Sequence, residues 1–322
     1  PLAPLTLMIG ANASGKSNAI EAFRFLCWLA QGQKLDVLRH QVQDSEQVVR
    51  GSVRDLGYLG SANFKLGCAT DDHDWNSLDI ELSLREDELH IAQESISSPS
   101  ENFPLYRVEQ PSQGLTNNIR VAYNNFARGG RKPQITCTDQ IAVLNQLVAS
   151  ALFEAGHKKA QEVIPEVTGR FQKLLANTLF LDPVPSQMRE GSYPDKRLKG
   201  DCSNLSGVLY RLCQDAKTRE QVISFIRSLP EQDVRTLHFQ EGLRGTRLLE
   251  LVENFGGEER RWTADLLSDG TLRVLAIAAA LLSAEPGSTV VIEEVDNGVH
   301  PSRARQLLSN MRNQAAERGV RL

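Results

Sequence analysis

Hydrophobic and polar positions alternate along this chain in three textures. The run LTLMIG, ending at Gly10, is short and apolar and predicts a buried strand. KSNAIEAFRFLCWLAQ follows with helical spacing, placing Ile20, Phe23, Leu26, Cys27 and Leu29 on one face. Strand, glycine-rich turn and helix therefore come in order. From about residue 63 to 138 the runs FKLGCAT, LDIELSL, ELHIAQESIS, LYRVE and IRVAYNN are broken by Asp, Asn, Pro, Ser and Gly. This texture predicts an antiparallel sheet of hairpins.

From 139 to 181 the spacing is helical, with an interruption expected at Pro165. Residues 182–201 form a loop rich in Pro, Gly and charge. SNLSGVLYRLCQDA and REQVISFIRSL read as amphipathic helices, the first capped by Ser203 or Asn204. A β-rich stretch runs from TLHFQEG to LLELVEN. TLRVLAIAAALLSA is apolar nearly all round and predicts a buried helix. After the turn EPGS, the β-branched run TVVIEEV predicts a central strand of a parallel sheet.

Composition narrows the class. A chain of 322 residues can bury a sizeable core, and 41% apolar with 24% charged residues is ordinary for a globular protein. The net charge of -4 argues against a globally basic nucleic-acid binder but leaves room for a local basic groove. The cysteines are five, an odd number, with no CxxC spacing, so neither a disulfide framework nor a zinc site is expected and a reducing, cytoplasmic setting fits. No run is long enough to span a bilayer, and no signal peptide is read at the start. The chain opens on Pro1 and closes on RGVRL, and both ends read as lying within a fold.

The chemistry begins at GANASGKS, residues 10–17, which fits G-x-x-x-x-G-K-[ST] between a predicted strand and a predicted helix. Such a turn wraps backbone N–H groups around phosphate oxygens, and the positive end of the helix adds to it. Gly10, Asn12, Ala13, Ser14, Gly15, Lys16, Ser17 and the adjacent Asn18 are the expected nucleotide-binding residues. Lys16 is expected to act catalytically on the β- and γ-phosphates, and the Ser17 hydroxyl to bind Mg²⁺. Far downstream, Glu293 and Glu294 sit together at the end of an apolar strand. Buried carboxylates need a partner, and Mg²⁺ supplies one. Glu293 is assigned to the metal and Glu294 to the attacking water as general base.

LLSDGT, residues 266–271, precedes the buried helix, with Ser268, Asp269 and Gly270 at its start. One serine suffices for a helix cap; the same helix end can also meet an anion. The order of cradle, long insert, LSDG with its helix, then acidic strand resembles the ABC-type ATPases, including the SMC, RecF and OLD groups. IEEVDNGVHP is similar to the DEPENGLHP-like region of OLD-type proteins, and GDCSNLSGVLYRL to the G-x-N-L helix that precedes their signature.

The resemblance implies an α/β fold, a P-loop NTPase of ABC-ATPase type: a central mixed sheet with an antiparallel β lobe and a helical lobe. The divisions would be 1–62 and 236–322 for the two halves of the core, 63–138 for the β lobe and 139–235 for the helical lobe. It implies ATP and Mg²⁺, a homodimer or higher even oligomer, and Ser268, Asp269 and Gly270 acting in trans on a partner copy's γ-phosphate. Asp296, Asn297 and His300 would lie on a loop at the dimer interface. The implied role is slow ATP hydrolysis as a switch over a separate effector, a nuclease, in antiphage or antiplasmid defence. Rival readings are a RecF-like DNA-repair clamp, an ATP-bound assembly scaffold and a transporter's nucleotide-binding subunit.

Departures from the pattern are Glu293 for an aspartate and Ala13 for a glycine, tolerable if its φ is negative. Gln93 is the nearest candidate for the family's metal-contacting glutamine. The family also implies a strand before residue 1 and one after Leu322 that ends in a histidine. Coiled-coil arms are excluded by the absence of heptads. Arg128, Arg131 and Lys132, His157 to Lys159, and Arg189 to Lys199 form basic clusters that read as solvated loops or as contacts to a nucleic-acid backbone. DDHD, residues 71–74, reads as a polar turn, and Phe23 and Trp28 as core.

Overall fold

Gly15, at φ 90°, turns the chain into the first helix, α1 (Lys16–Ala30). A left-handed residue at that point suits glycine, which has no Cβ to clash. The structure is a computed structural model that describes residues 3–11, 13–39, 48–114, 116–227, 234–293, 295 and 301–322. The chain forms two compact units: Gly10–Ala176, and Asn177–Leu322 together with the N-terminal residues up to Ile9.

In the first unit, the expected hairpins are β1 (Asn63–Ala69), β2 (Ser77–Arg85), β3 (Glu88–Ser97), β4 (Tyr106–Gln110), β5 (Asn118–Tyr123) and β6 (Gln134–Thr138). They pair in chain order as one antiparallel sheet. The period-two pattern buries Leu78, Ile80 and Leu82 of β2 beside Leu89, Ile91 and Ile96 of β3. Glu86 and Asp87, at φ 47° and 68°, make the tight turn between those strands. Helices α2 (Val143–Gln146) and α3 (Lys158–Ala176) follow.

The interruption expected at Pro165 does not occur: α3 runs through it. Proline leaves the carbonyl four residues earlier without its donor. Here that carbonyl belongs to Gln161, and the Ser150 hydroxyl donates to it at 2.7 Å. Ala160, Ile164, Val167, Phe171 and Leu175 then bury one continuous stripe.

The second unit holds β7 (Thr178–Leu181), α4 (Pro185–Met188), α5 (Leu205–Leu212), α6 (Ala216–Ile226), β8 (Val234–Glu241), β9 (Arg247–Phe255), β10 (Glu258–Thr263), α7 (Asp269–Ser283), β11 (Thr289–Ile292) and α8 (Pro301–Arg318). β8, β9 and β10 form an antiparallel sheet in the order β10-β9-β8, while β11 pairs with β7 in parallel. The stretch expected as one helical lobe is thus divided at Ala176. Helix α7 is buried from Thr271 to Leu282 except at Arg273, as its nearly continuous apolar sequence requires. Asn204 stands at the N-cap of α5 but makes no side-chain cap bond. Its amide instead ties down the preceding loop, accepting from the Lys199 N–H and donating to Asp195 and the Arg197 carbonyl.

The strand expected over LTLMIG is not formed. Around it the backbone bonds to the chain's last residue, with Thr6 N–H on Leu322 O at 2.7 Å and Leu322 N–H on Pro4 O at 2.8 Å. Leu7, Met8 and Ile9 are exposed, Ile9 to 90%. An apolar run becomes a strand only when a ladder takes up its N–H and C=O groups. β11 instead has β7 on one side and a bridge to Arg321 on the other.

Candidate nucleotide-binding site

The cradle lies in the first unit. Ser14 N–H closes back on the Ala11 carbonyl, and Gly15 hands the chain to α1. Lys16 Nζ donates to the Gly10 and Ala11 carbonyls at 2.6 and 2.8 Å, folded over the loop it is expected to serve. The first turn of α1 carries no acid, and Ser14, Gly15, Ser17 and Asn18 are exposed. A Cβ on Gly10 would meet Ser14 Oγ at 2.8 Å, so a larger residue there would displace the Ser14 hydroxyl. These residues fit a triphosphate: an open helix N-terminus, no opposing carboxylate in the loop, and a lysine already pointing back across it.

Ala13 departs from expectation. Its φ is 64°, in the left-handed region, where the sequence reading required a negative value. The tight turn imposes that conformation, and alanine bears a cost there that glycine would not. Asn12 lies outside the described residues.

Arg50 is a neighbour that the sequence did not single out. Its guanidinium holds Glu21 at 2.7 Å and the Asn18 side-chain oxygen at 3.1 Å, on the helix that leaves the cradle. No spacing rule marks it, because the contact joins a loop to a helix far from it in sequence. Gln93 is an exposed residue on β3, opposite Glu81.

The signature turn lies in the second unit. Ser268 is the N-cap of α7, and its Oγ accepts from the Thr271 N–H at 3.1 Å. Ser268 and Asp269 are exposed and Gly270 is half-buried. Asp269 is bound by Arg189 at 2.6 Å. Glu293 directly follows β11, half-buried rather than in a buried strand end. The strand carries it to the edge of the apolar layer, where solvent still reaches the carboxylate. Glu294, Asp296, Asn297 and His300 lie outside the described residues.

The other candidates resolve locally. Asp72 of DDHD accepts from Thr70 and pairs with Arg170, and Asp74 accepts from Ser100, as a polar turn would. Trp28 is buried and Phe23 half-buried. All five cysteines are free thiols. Burial pushes Cys137 up to about 12, and Cys68 and Cys213 up to about 11, so none of these is a thiolate at neutral pH. Two basic clusters meet: Lys159 Nζ lies 4.3 Å from the Phe126 ring centre, and Lys132 donates to Asn124 and Asn125 beside it. No helix among the described residues is long and apolar enough to cross a membrane.

A glycine-rich turn closing on a lysine and opening an α-helix, in a mixed α/β chain, defines a P-loop nucleotide-binding protein. Residues 5–77 and 104–322 match the family described as "AAA domain, putative AbiEii toxin, Type IV TA system". The chain belongs to this family, and it is an ATP-binding P-loop ATPase with an AAA domain. No curated protein matches it. Among solved structures, an SMC head bound to the C-terminal winged-helix domain of ScpA is similar at 10% identity and a TM-score of 0.43. That similarity covers 100% of this chain and 81% of the other. The Pyrococcus furiosus Smc head with an extended coiled coil, bound to the C-terminal domain of ScpA, is similar at 11% identity and a TM-score of 0.41. It covers 99% of this chain and 83% of the other.

Proposed function

We propose that this protein binds and hydrolyses Mg-ATP at the cradle and dimerises around the nucleotide, acting as a switch over a separate effector. The observation that carries this reading is the cradle itself, with Lys16 held across an acid-free helix N-terminus. Lys16 would leave the Gly10 and Ala11 carbonyls to hold phosphate oxygens, and the loop N–H groups would orient them. Ser17 and Glu293 would hold Mg²⁺, and Glu294 would take the proton of the attacking water. The bound metal and nucleotide supply charge neutralisation and the phosphoryl group. Ser268, Asp269 and Gly270 of one copy would then close on the γ-phosphate held by another, with the loop of Asp296, Asn297 and His300 at the interface.

The effector is a nuclease, and the setting is antiphage or antiplasmid defence. The family description, which names a toxin of a toxin–antitoxin system, supports a role in a partnered bacterial defence or addiction module. A second reading, a clamp on DNA, draws on the meeting of the two basic clusters around Phe126. The test is the mass in solution of wild type, Glu294→Gln and Ser268→Arg, with and without Mg-ATP. The switch reading expects ATP to raise the mass, Glu294→Gln to trap the larger species and Ser268→Arg to abolish it. A mass independent of nucleotide and of Ser268 leaves the turn as a helix cap alone, and the switch reading fails.

A further inference from the structure

The turn before α7 carries a difficulty for any role in meeting a phosphate. Asp269 places a carboxylate in the first turn, and its side chain is 64% exposed. That acid complements the helix dipole, but it would repel a phosphate arriving at the same end. The structure answers this with a residue from another element. Arg189, at the C-terminal end of α4, sends one guanidinium nitrogen to Asp269 Oδ1 at 2.6 Å. Its other terminal nitrogen donates to the Asp265 carbonyl at 2.8 Å and the Leu267 carbonyl at 2.7 Å. The first carbonyl lies within the short 3₁₀ turn, Ala264–Leu266, and the second just after it, on the residue that leads into Ser268.

The arginine is itself held from behind. Met188 next to it is fully buried, and Ser192 exchanges two backbone hydrogen bonds with Arg247 of β9, at 2.9 and 2.8 Å. A planar fork bonded on both tines has little freedom, and a lysine could not reproduce it. A helix cap does not require this fork, because Ser268 already caps α7 through Thr271.

We propose that Arg189 is the positioning residue of the signature turn: it neutralises Asp269 and fixes the carbonyls of residues 265 and 267, so that the start of α7 can receive a phosphate. This rests on the shared-nucleotide reading above. In the assembled state the guanidinium keeps Asp269 from opposing the γ-phosphate held by a partner copy's cradle. It also holds Ser268 and Gly270 in register for it.

The experiment uses Glu294→Gln as background and reads the protein concentration for half-dimerisation in Mg-ATP. The affinity of a fluorescent ATP analogue, at concentrations where the protein is monomeric, is measured alongside. If Glu294→Gln does not dimerise with Mg-ATP, the shared-nucleotide reading falls, and this inference with it. If it does, adding Arg189→Ala is expected to raise the half-dimerisation concentration about tenfold or more, the loss of a charge-assisted hydrogen bond. Analogue affinity stays within about twofold, because the cradle of a single copy is untouched. Asp269→Asn on top of Arg189→Ala should recover about threefold or more by removing the uncompensated charge. Arg189→Lys, which keeps the charge without the fork, should fall between. Dimerisation unchanged by Arg189→Ala overturns the inference. So does a loss that Asp269→Asn fails to relieve, since a merely structural arginine would behave that way. Should Arg189→Ala not fold, Arg189→Lys decides: a defect of about threefold is expected, and none overturns.

Discussion

Glu94 offers the sharpest quantitative test of the first unit. It sits on β3 at 1% exposure, and its carboxylate accepts from the Tyr106 hydroxyl and from the Val143 and Leu144 N–H groups, each at 2.7 Å. It thereby caps α2 from across the sheet. Burial pushes its pKa up from 4.5 to about 7, against the three donors, which pull it down. The folded state therefore keeps a proton that the unfolded chain releases above 4.5. The carboxyl's stabilising contribution is complete below 4.5 and is lost as pH rises through about 7. Over that window the loss amounts to about 3 kcal/mol.

Glu94→Gln removes the titration. Its carbonyl oxygen can still accept from Tyr106 and Leu144, but its amide nitrogen would face the Val143 N–H. That clash costs about 1–3 kcal/mol at every pH. The variant should accordingly be less stable than wild type at pH 5, and the gap should close or reverse by pH 8. Urea unfolding at pH 5, 6, 7 and 8, followed by Trp28 and Trp75 fluorescence with Trp262→Phe in both proteins, measures it. A stability difference that stays constant across pH, or one that widens as pH rises, refutes the reasoning.

Three further outcomes are expected. Ala13→Gly should cost no stability, because it relieves a left-handed alanine; Ala19→Gly, inside α1, should cost about 1 kcal/mol, and equal losses in urea unfolding would count against the strained turn. Ser268→Ala should lower stability by about 1 kcal/mol through the lost cap, with Ser268→Asp restoring most of it in thermal unfolding. Iodoacetamide at pH 7.5 should label the native protein slowly, Cys68 first as the half-exposed thiol and Cys27, Cys137, Cys202 and Cys213 only after unfolding; rapid labelling of a buried thiol would contradict its burial.

Much of the architecture could be read from residues close together in the chain. The turn of the cradle and the helix after it follow from glycine spacing and a 3.6-residue period, both of which act over a few residues. The hairpins between Asn63 and Thr138 follow from alternation broken by turn formers, and α7 from an unbroken apolar run. Ser268 as a cap is equally local.

Other features depended on groups far apart in sequence. LTLMIG has a strand's composition, but whether it forms a ladder depends on which backbone lies beside it, and β11 is flanked by β7 and Arg321 instead. Pro165 signals a break, yet Ser150 takes up the carbonyl that proline leaves idle and the helix continues. Ala13 could have been placed at either sign of φ, and the closing turn chose the costly one. Arg189 and Glu94 belong to no motif; each acquires its role from carbonyls, N–H groups and charges that only folding brings within 3 Å. Periodicity and turn chemistry are short-range and so are written along the chain. Hydrogen-bond satisfaction and charge pairing are contacts in space, and only the tertiary structure decides them.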